Sequence, residues 1–361
     1  MKKYLFLLIF LCAKVYGQPL DSLKFVAVDS FLLLGKITDQ TETPFERLPA
    51  KLKGVSRPEV WDLGKNTSGL ALRFASDATA FGLEWEVLND RVFNHMSYTG
   101  IKGFDLYVWD EGRWMFLNSG RPTGKLSKVM VEQDLATNGM REYLLHFPLY
   151  DGLQNLKIGI NAEAKIRRPK EEIIQQEAPV IFYGTSITQG ACASRPGMAY
   201  PNIIRRELNR EIYNLGFSGN GKLDLEIAEL IAQKAAAAIV IDCVPNCTPT
   251  DINDRLFRFV EIIKSKQPET PIIFVENVIY PPMQFKPTLS EWVAAKNEAY
   301  LNQYKRIQKA WPQAEFKYLK ANTLLKGDME HSVDGIHLTD YGFMQLSERL
   351  LEVIQSTSED I

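Results

Sequence analysis

The sequence predicts an α/β protein in two parts: an antiparallel β-sandwich followed by a domain built on a parallel sheet. Three observations carry this. The chain has 361 residues, room for roughly two domains of ordinary size. Its first half alternates apolar and polar residues over short runs. Its second half alternates short, wholly apolar runs with helical stretches. The composition, 45% hydrophobic and 24% charged, leaves ample material for a core and excludes a disordered or collagen-like chain.

The first element is a segment to subtract. Lys2 and Lys3 precede the apolar run Tyr4-Leu-Phe-Leu-Leu-Ile-Phe-Leu-Cys-Ala13. A membrane-spanning helix needs about 20 apolar residues, so the run is too short to span. Residues 1–17 read as a signal peptide, with Val15-Tyr16-Gly17 fitting cleavage before Gln18. Cys12 follows Leu11 rather than a small residue, which disfavours a lipoprotein. The chain is expected to be exported, to a periplasm or medium. Removing Lys2, Lys3 and Lys14 takes the formal charge from −2 to −5. No basic excess or basic stripe marks a nucleic-acid partner.

Residues 18–165 are expected to form the sandwich. Runs at 69–75, 80–87, 104–109, 114–117, 143–147 and 156–160 alternate with period two and are separated by Gly, Asp and Asn. Trp61, Trp85, Trp109 and Trp114, four of the six tryptophans, lie here. Exposed aromatics could bind sugar, but strand-borne aromatics mostly fill cores. Residues 166–178 are dense in charge and contain Pro169, which suggests a connection.

From residue 179 to 361 the pattern is strand, helix, strand. Strands are expected near 180–184, 212–215, 237–241, 271–275 and 314–318. Helices are expected over 199–209, 223–236, 252–266, 291–310 and 340–355. Such sheets are parallel, covered on both faces, and bind ligands beyond the carboxyl ends of their strands.

Candidate chemistry falls at those ends. Gly184-Thr-Ser-Ile-Thr188 follows the first strand and puts Ser186 at a helix start. Asn214-Leu-Gly-Phe-Ser-Gly-Asn-Gly221 follows the second strand, and Asp242-Cys-Val-Pro-Asn246 the third. Asp334-Gly-Ile-His337 precedes the last helix. Its carboxylate can fix the imidazole tautomer, as a triad requires. His331 lies nearby as a competitor. Cys192, Cys243 and Cys247 remain after export, and a disulfide from Cys192 to one of the others is open. Cys243 and Cys247 have no second ligand pair nearby, so no zinc site is expected there.

These motifs together resemble the SGNH, or GDSL-like, hydrolases over residues 179 to about 356. The resemblance implies a flavodoxin-like three-layer domain. It also implies a Ser186 nucleophile, with Asp334 and His337 completing the triad. The Ser186 and Gly219 N–H groups and the Asn246 amide would form the oxyanion hole, and no metal or organic cofactor is called for. Two positions depart from the family pattern: Thr185 stands where Asp is usual, and Val244-Pro-Asn246-Cys247 replaces Gly-x-Asn-Asp. Gly103-Phe-Asp-Leu-Tyr107 is similar to the Gly-x-Asp-Leu-Tyr signature of a β-domain that precedes some of these hydrolases. Ala193-Ser-Arg-Pro-Gly-Met198 looks typical of the same two-domain bacterial subgroup.

The implied activity is removal of small ester groups, most often acetyl, from an oligosaccharide or polysaccharide. An esterase for sugar methyl esters or other short chains is the alternative. A carbohydrate-binding protein with an inactive hydrolase half is the rival of another class. Arg195, nine residues past Ser186, could bind an acidic sugar or anchor its own loop.

Overall fold

A computed structural model describes residues 19–28, 31–136, 139–169 and 177–358. The expected signal segment and residues 170–176 of the expected connection lie outside the described residues. Among the described residues, no helix is long and apolar enough to cross a membrane.

The first domain is an antiparallel sandwich. Its strands are β1 (Lys24–Ala27), β2 (Leu32–Leu34), β3 (Ala71–Ser76), β4 (Phe81–Val87) and β5 (Phe104–Asp110). They continue with β6 (Arg113–Gly120), β7 (Leu126–Glu132), β8 (Arg141–His146), β9 (Leu153–Ile160) and β10 (Ile166–Arg167). Two short helices interrupt them, α1 (Pro58–Gly64) and α2 (Tyr98–Lys102). One sheet runs β1-β9-β4-β7. The other runs β10-β3-β8-β5-β6, with β2 also on β3. Between them lie Phe74, Phe81, Trp85, Phe104 and Tyr143, all buried. The six expected runs are β3, β4, β5, β6, β8 and β9. The others lack a clear alternating signal because they are short or half-exposed, as in β7. β10 falls inside the charged stretch, yet Ile166 and Arg167 pair with Ser76 and Ala75, so the sandwich extends past residue 165.

The second domain contains β11 (Val180–Gly184), α3 (Ser186–Gln189), α4 (Tyr200–Leu208), β12 (Ile212–Gly216), α5 (Leu225–Ala232) and β13 (Ala238–Asp242). It continues with α6 (Pro249–Lys264), β14 (Ile272–Val275), α7 (Pro287–Ala310), β15 (Phe316–Leu319) and α8 (Asp340–Ser358). The five strands are parallel in the order β12-β11-β13-β14-β15, the flavodoxin-like arrangement. Both faces are covered, which is why the strands read as unbroken apolar runs. Ile181, Tyr183, Ile239 and Ile241 face one core; Val180, Phe182, Ala238 and Val240 face the other.

That division settles the cysteines. Cys192 packs in one core and Cys243 and Cys247 in the other, so the sheet stands between them. All three are free thiols, and the disulfide left open by the sequence does not form.

The domains share packing rather than merely touching. Leu48, Leu52, Val60 and Trp61, all preceding β3, join the core of the second domain. The outer face of the six-stranded sheet lies against α4. There Trp114 Nε1 donates to Asn209 Oδ1 at 3.0 Å, and the Arg206 guanidinium sits 4.3 Å from the centre of the Tyr107 ring. The tryptophans of the first half thus serve packing: Trp61, Trp85 and Trp114 are buried, and Trp109 stacks edge-on against Trp114.

Candidate active site

In this strand order the direction in which successive strands are added reverses between β11 and β13, which are parallel, hydrogen-bonded neighbours. The crevice at their carboxyl ends is the expected binding place. Ser186 is the first residue of α3, immediately beyond β11. Thr185 caps that helix: its Oγ1 accepts the Ile187 N–H at 3.2 Å, while Thr188 Oγ1 accepts the Thr185 N–H at 3.2 Å. A threonine can cap a helix as aspartate does, so this departure from the family pattern keeps the local geometry.

Ser186 Oγ lies 3.0 Å from His337 Nε2, and His337 Nδ1 lies 2.7 Å from Asp334 Oδ2. The turn that presents them is held by its own carboxylate, since Asp334 Oδ1 accepts the N–H groups of Ile336 and His337 at 3.0 and 2.8 Å. Partial burial alone would raise the Asp334 carboxyl. The backbone and ring donors of His337 and the Ile336 N–H outweigh it and hold the group below its ordinary value. His331 is excluded as a competing base by its surroundings: its ring is buried and Nε2 bonds the Ile279 carbonyl at 2.9 Å.

Gly219 is exposed, has φ +69°, and has open space on the side where a side chain would project. Asn246 Oδ1 accepts the Gly221 N–H at 3.1 Å, which ties the third loop to the second and leaves the amide NH₂ to point elsewhere. Behind Asn246, Lys296 of α7 donates to the Pro245 carbonyl at 3.3 Å. Beneath α3, Asp242 Oδ2 accepts from Thr188 Oγ1 at 3.0 Å and Tyr200 OH at 3.2 Å. Complete burial pushes the Asp242 carboxyl up to about 7, against the pull of those two donors.

The first domain reaches this site, which no local signal in the sequence indicates. Tyr150 OH donates to the Ser186 carbonyl at 3.3 Å. Arg57 binds Asn220 twice, NH1 to the side-chain oxygen and NH2 to the carbonyl, each at 2.8 Å. It also pairs with Asp224 through Nε at 2.7 Å. A groove of about 350 Å³ lies between the domains and is lined by Glu59, Asp62, Arg91, Phe93, Tyr150 and Asn220 among others.

Arg195 has partners other than a ligand. Its NH1 donates to Asp105 Oδ2 at 2.8 Å and to Tyr107 OH at 2.6 Å, and its guanidinium lies 3.8 Å from the centre of the Phe116 ring. The same Asp105 oxygen accepts the Gly197 N–H at 2.7 Å. A side chain at Gly197 would collide with Asp105 Oδ2 and Tyr107 OH, so glycine is needed for this approach. The Asp and Tyr of the Gly-x-Asp-Leu-Tyr stretch therefore clasp the Arg195-Pro-Gly197 loop. The guanidinium is engaged in this interdomain contact, which favours the loop-anchoring role of the two the sequence leaves open for Arg195.

The comparisons with known proteins agree with this architecture. A model of the GDSL-like lipase/acylhydrolase family matches residues 177–355, and a model of the N-terminus of SGNH-hydrolase-type esterases, named GxDLY, matches residues 23–166. A solved structure designated a GDSL-like lipase, from Bacteroides ovatus, is 33% identical with a TM-score of 0.87, over 93% of this chain and 98% of that one. A salicylyl-acyltransferase from a tetracycline biosynthetic pathway is 18% identical with a TM-score of 0.75, over 93% and 97%. An acetyl xylan esterase from the rumen bacterium Butyrivibrio proteoclasticus is 10% identical with a TM-score of 0.57, over 94% and 100%. At the last two identities the likeness is one of fold. A comparison with curated proteins finds no match.

Proposed function

The chain belongs to the GDSL-like lipase/acylhydrolase family, an ester hydrolase family, and from that premise we propose that it is an exported serine esterase removing short acyl groups, acetyl above all, from carbohydrate. The observation that carries the reading is the unbroken chain Ser186 Oγ, His337, Asp334, with links of 3.0 and 2.7 Å.

In the proposed reaction His337 Nε2 takes the Ser186 proton as Oγ attacks the ester carbonyl. Asp334 holds the proton on Nδ1 and stabilises the imidazolium. The oxyanion is met by the N–H groups of Ser186 and Gly219 and by the Asn246 amide. His337 returns the proton to the leaving sugar oxygen. Water then repeats the cycle on the acyl-enzyme, releasing the acid and restoring Ser186.

Carbohydrate is favoured by the groove beside Ser218 and Asn220. Carboxylates, an arginine and an amide can meet several hydroxyls, and Phe93 offers an apolar face for a sugar ring. An acetyl xylan esterase shares the fold. The test compares acetate release from an aryl acetate by the wild type and Ser186→Ala. Activity confined to the wild type is expected, and equal rates would overturn the assignment. A screen of acetylated and methyl-esterified oligosaccharides, reading acetate and methanol together, separates deacetylation from the methyl-ester alternative.

A further inference from the structure

A second chemistry is assembled beside the proposed triad, at its His337 and Asp334. His95, on the loop between β4 and α2, brings its ring to 5.7 Å from that of His337, at an interplanar angle of 28°. Cys192, in the turn after α3, directs Sγ to 3.5 Å from the His95 carbonyl. One ligand atom each from His95, Cys192, Asp334 and His337 fall within 4.8 Å of one another. Two imidazole nitrogens, a thiol sulfur and a carboxylate oxygen form the donor set that zinc takes in tetrahedral sites.

The fit is close. Bond lengths of about 2.0–2.3 Å place the donors of a tetrahedral zinc roughly 3.3–3.8 Å apart. Contraction by about 1 Å along the longest edge is therefore enough. His95 can supply it, being partly exposed and on a loop. Its Nδ1 lies 3.0 Å from Asn94 Oδ1, so the ring is already oriented by an outer partner and its other nitrogen is available to a metal.

We propose that His95, Cys192, Asp334 and His337 form an inhibitory site for a zinc-class divalent cation. The ion is no cofactor of the ester reaction. On binding, the Cys192 thiol proton leaves to solvent as the metal–sulfur bond forms, and the ion takes His337 Nδ1, on the Asp334 side of the ring, whose proton passes through solvent to Nε2. His337 then cannot accept the Ser186 proton, and hydrolysis stops until the ion is removed. The sulfur and nitrogen donors select zinc over magnesium or calcium, which prefer oxygen. The inhibitory consequence rests on the esterase reading; the binding does not.

The experiment strips the full-length protein with a chelator and titrates it with zinc chloride against a chromophoric zinc indicator, following aryl acetate hydrolysis in parallel. One zinc per chain is expected, with activity lost in step with occupancy, restored by EDTA, and untouched by magnesium. His95→Ala and Cys192→Ser should retain metal-free turnover and bind zinc about ten-fold or more weakly. Ser186→Ala should bind zinc as the wild type does while hydrolysing nothing, so binding is read independently of esterase activity. The site is overturned if the wild type takes up no zinc at micromolar concentration, or if His95→Ala and Cys192→Ser bind it undiminished. Stoichiometric binding with full activity would overturn the inhibitory role.

Discussion

Arg57 of the first domain grips Asn220 of the second through both the side-chain oxygen and the backbone carbonyl, one residue beyond Gly219. The same guanidinium is braced by Asp224. A residue from outside the hydrolase domain thus sets the position of a loop expected to stabilise the oxyanion.

Arg57→Ala should accordingly lower kcat on an aryl acetate by about 10–100-fold, because misplacing a stabilising group by about 1 Å costs up to about 10²-fold. KM should change little, since Arg57 does not line the groove. Arg57→Lys should recover only part of the loss, as an ammonium cannot reproduce the fork. A matched loss in KM and kcat, or full rescue by lysine, would count against the positioning role.

Asn246→Ala removes a proposed oxyanion donor. Turnover should fall by about 10²–10³-fold, or about 2.7–4 kcal/mol, with the melting temperature nearly kept. Steady-state kinetics beside a thermal melt checks this. A fall below about 10-fold would take Asn246 out of the hole.

The raised Asp242 carboxyl makes stability depend on pH. Its folded value of about 7 lies above its ordinary value of 3.8, so between those limits the folded state binds a proton that the unfolded state has released. Stability therefore falls as pH rises through this window, by up to about 1.4 kcal/mol per pH unit. Asp242→Asn keeps the acceptor for Thr188 and Tyr200 and cannot ionise. It should match the wild type near pH 4 and be more stable at pH 8, on the order of a few kcal/mol. Denaturant melts across pH measure the difference; parallel curves would refute it.

The Asp105–Arg195 clasp should matter to folding and be indifferent to the substrate's charge. Asp105 is fully buried, and removing Arg195 would strand its carboxylate. Arg195→Ala should destabilise the protein by about 3 kcal/mol or more. It should weaken activity on neutral and acidic oligosaccharides alike. A selective loss on acidic substrates would instead favour the sugar-binding alternative for Arg195.

Much of the second domain is legible in the chain because its information is local. Wholly apolar runs at 180–184 and 237–241 announce strands buried on both faces, and parallel connection puts every strand's carboxyl end on one side. Loops containing Ser186, Gly219 and Asn246 must then gather along one edge. β7 and β10 escaped because a half-exposed edge strand has no strong period, and a two-residue strand has none.

Arg195 shows where reading by sequence stops. Its distance from Ser186 along the chain suggested the site, whereas its partners, Asp105 and Tyr107, lie about ninety positions away in another domain. The same holds for Arg57 with Asn220 and for His95 with His337. Residue pattern and spacing determined the two-part architecture and put the candidate loops at the strand ends, because periodicity and strand-end position follow from neighbours in the chain; the roles of nucleophile, base and oxyanion donors came from the family resemblance of their motifs. Only the tertiary structure decided that Cys192 is walled off from Cys243 and Cys247 by the sheet, that Asp242 is buried deeply enough to hold its proton, and that the first domain helps to build the groove. Those outcomes depend on which buried polar groups meet when the two domains dock, and distance along the chain carries no record of that.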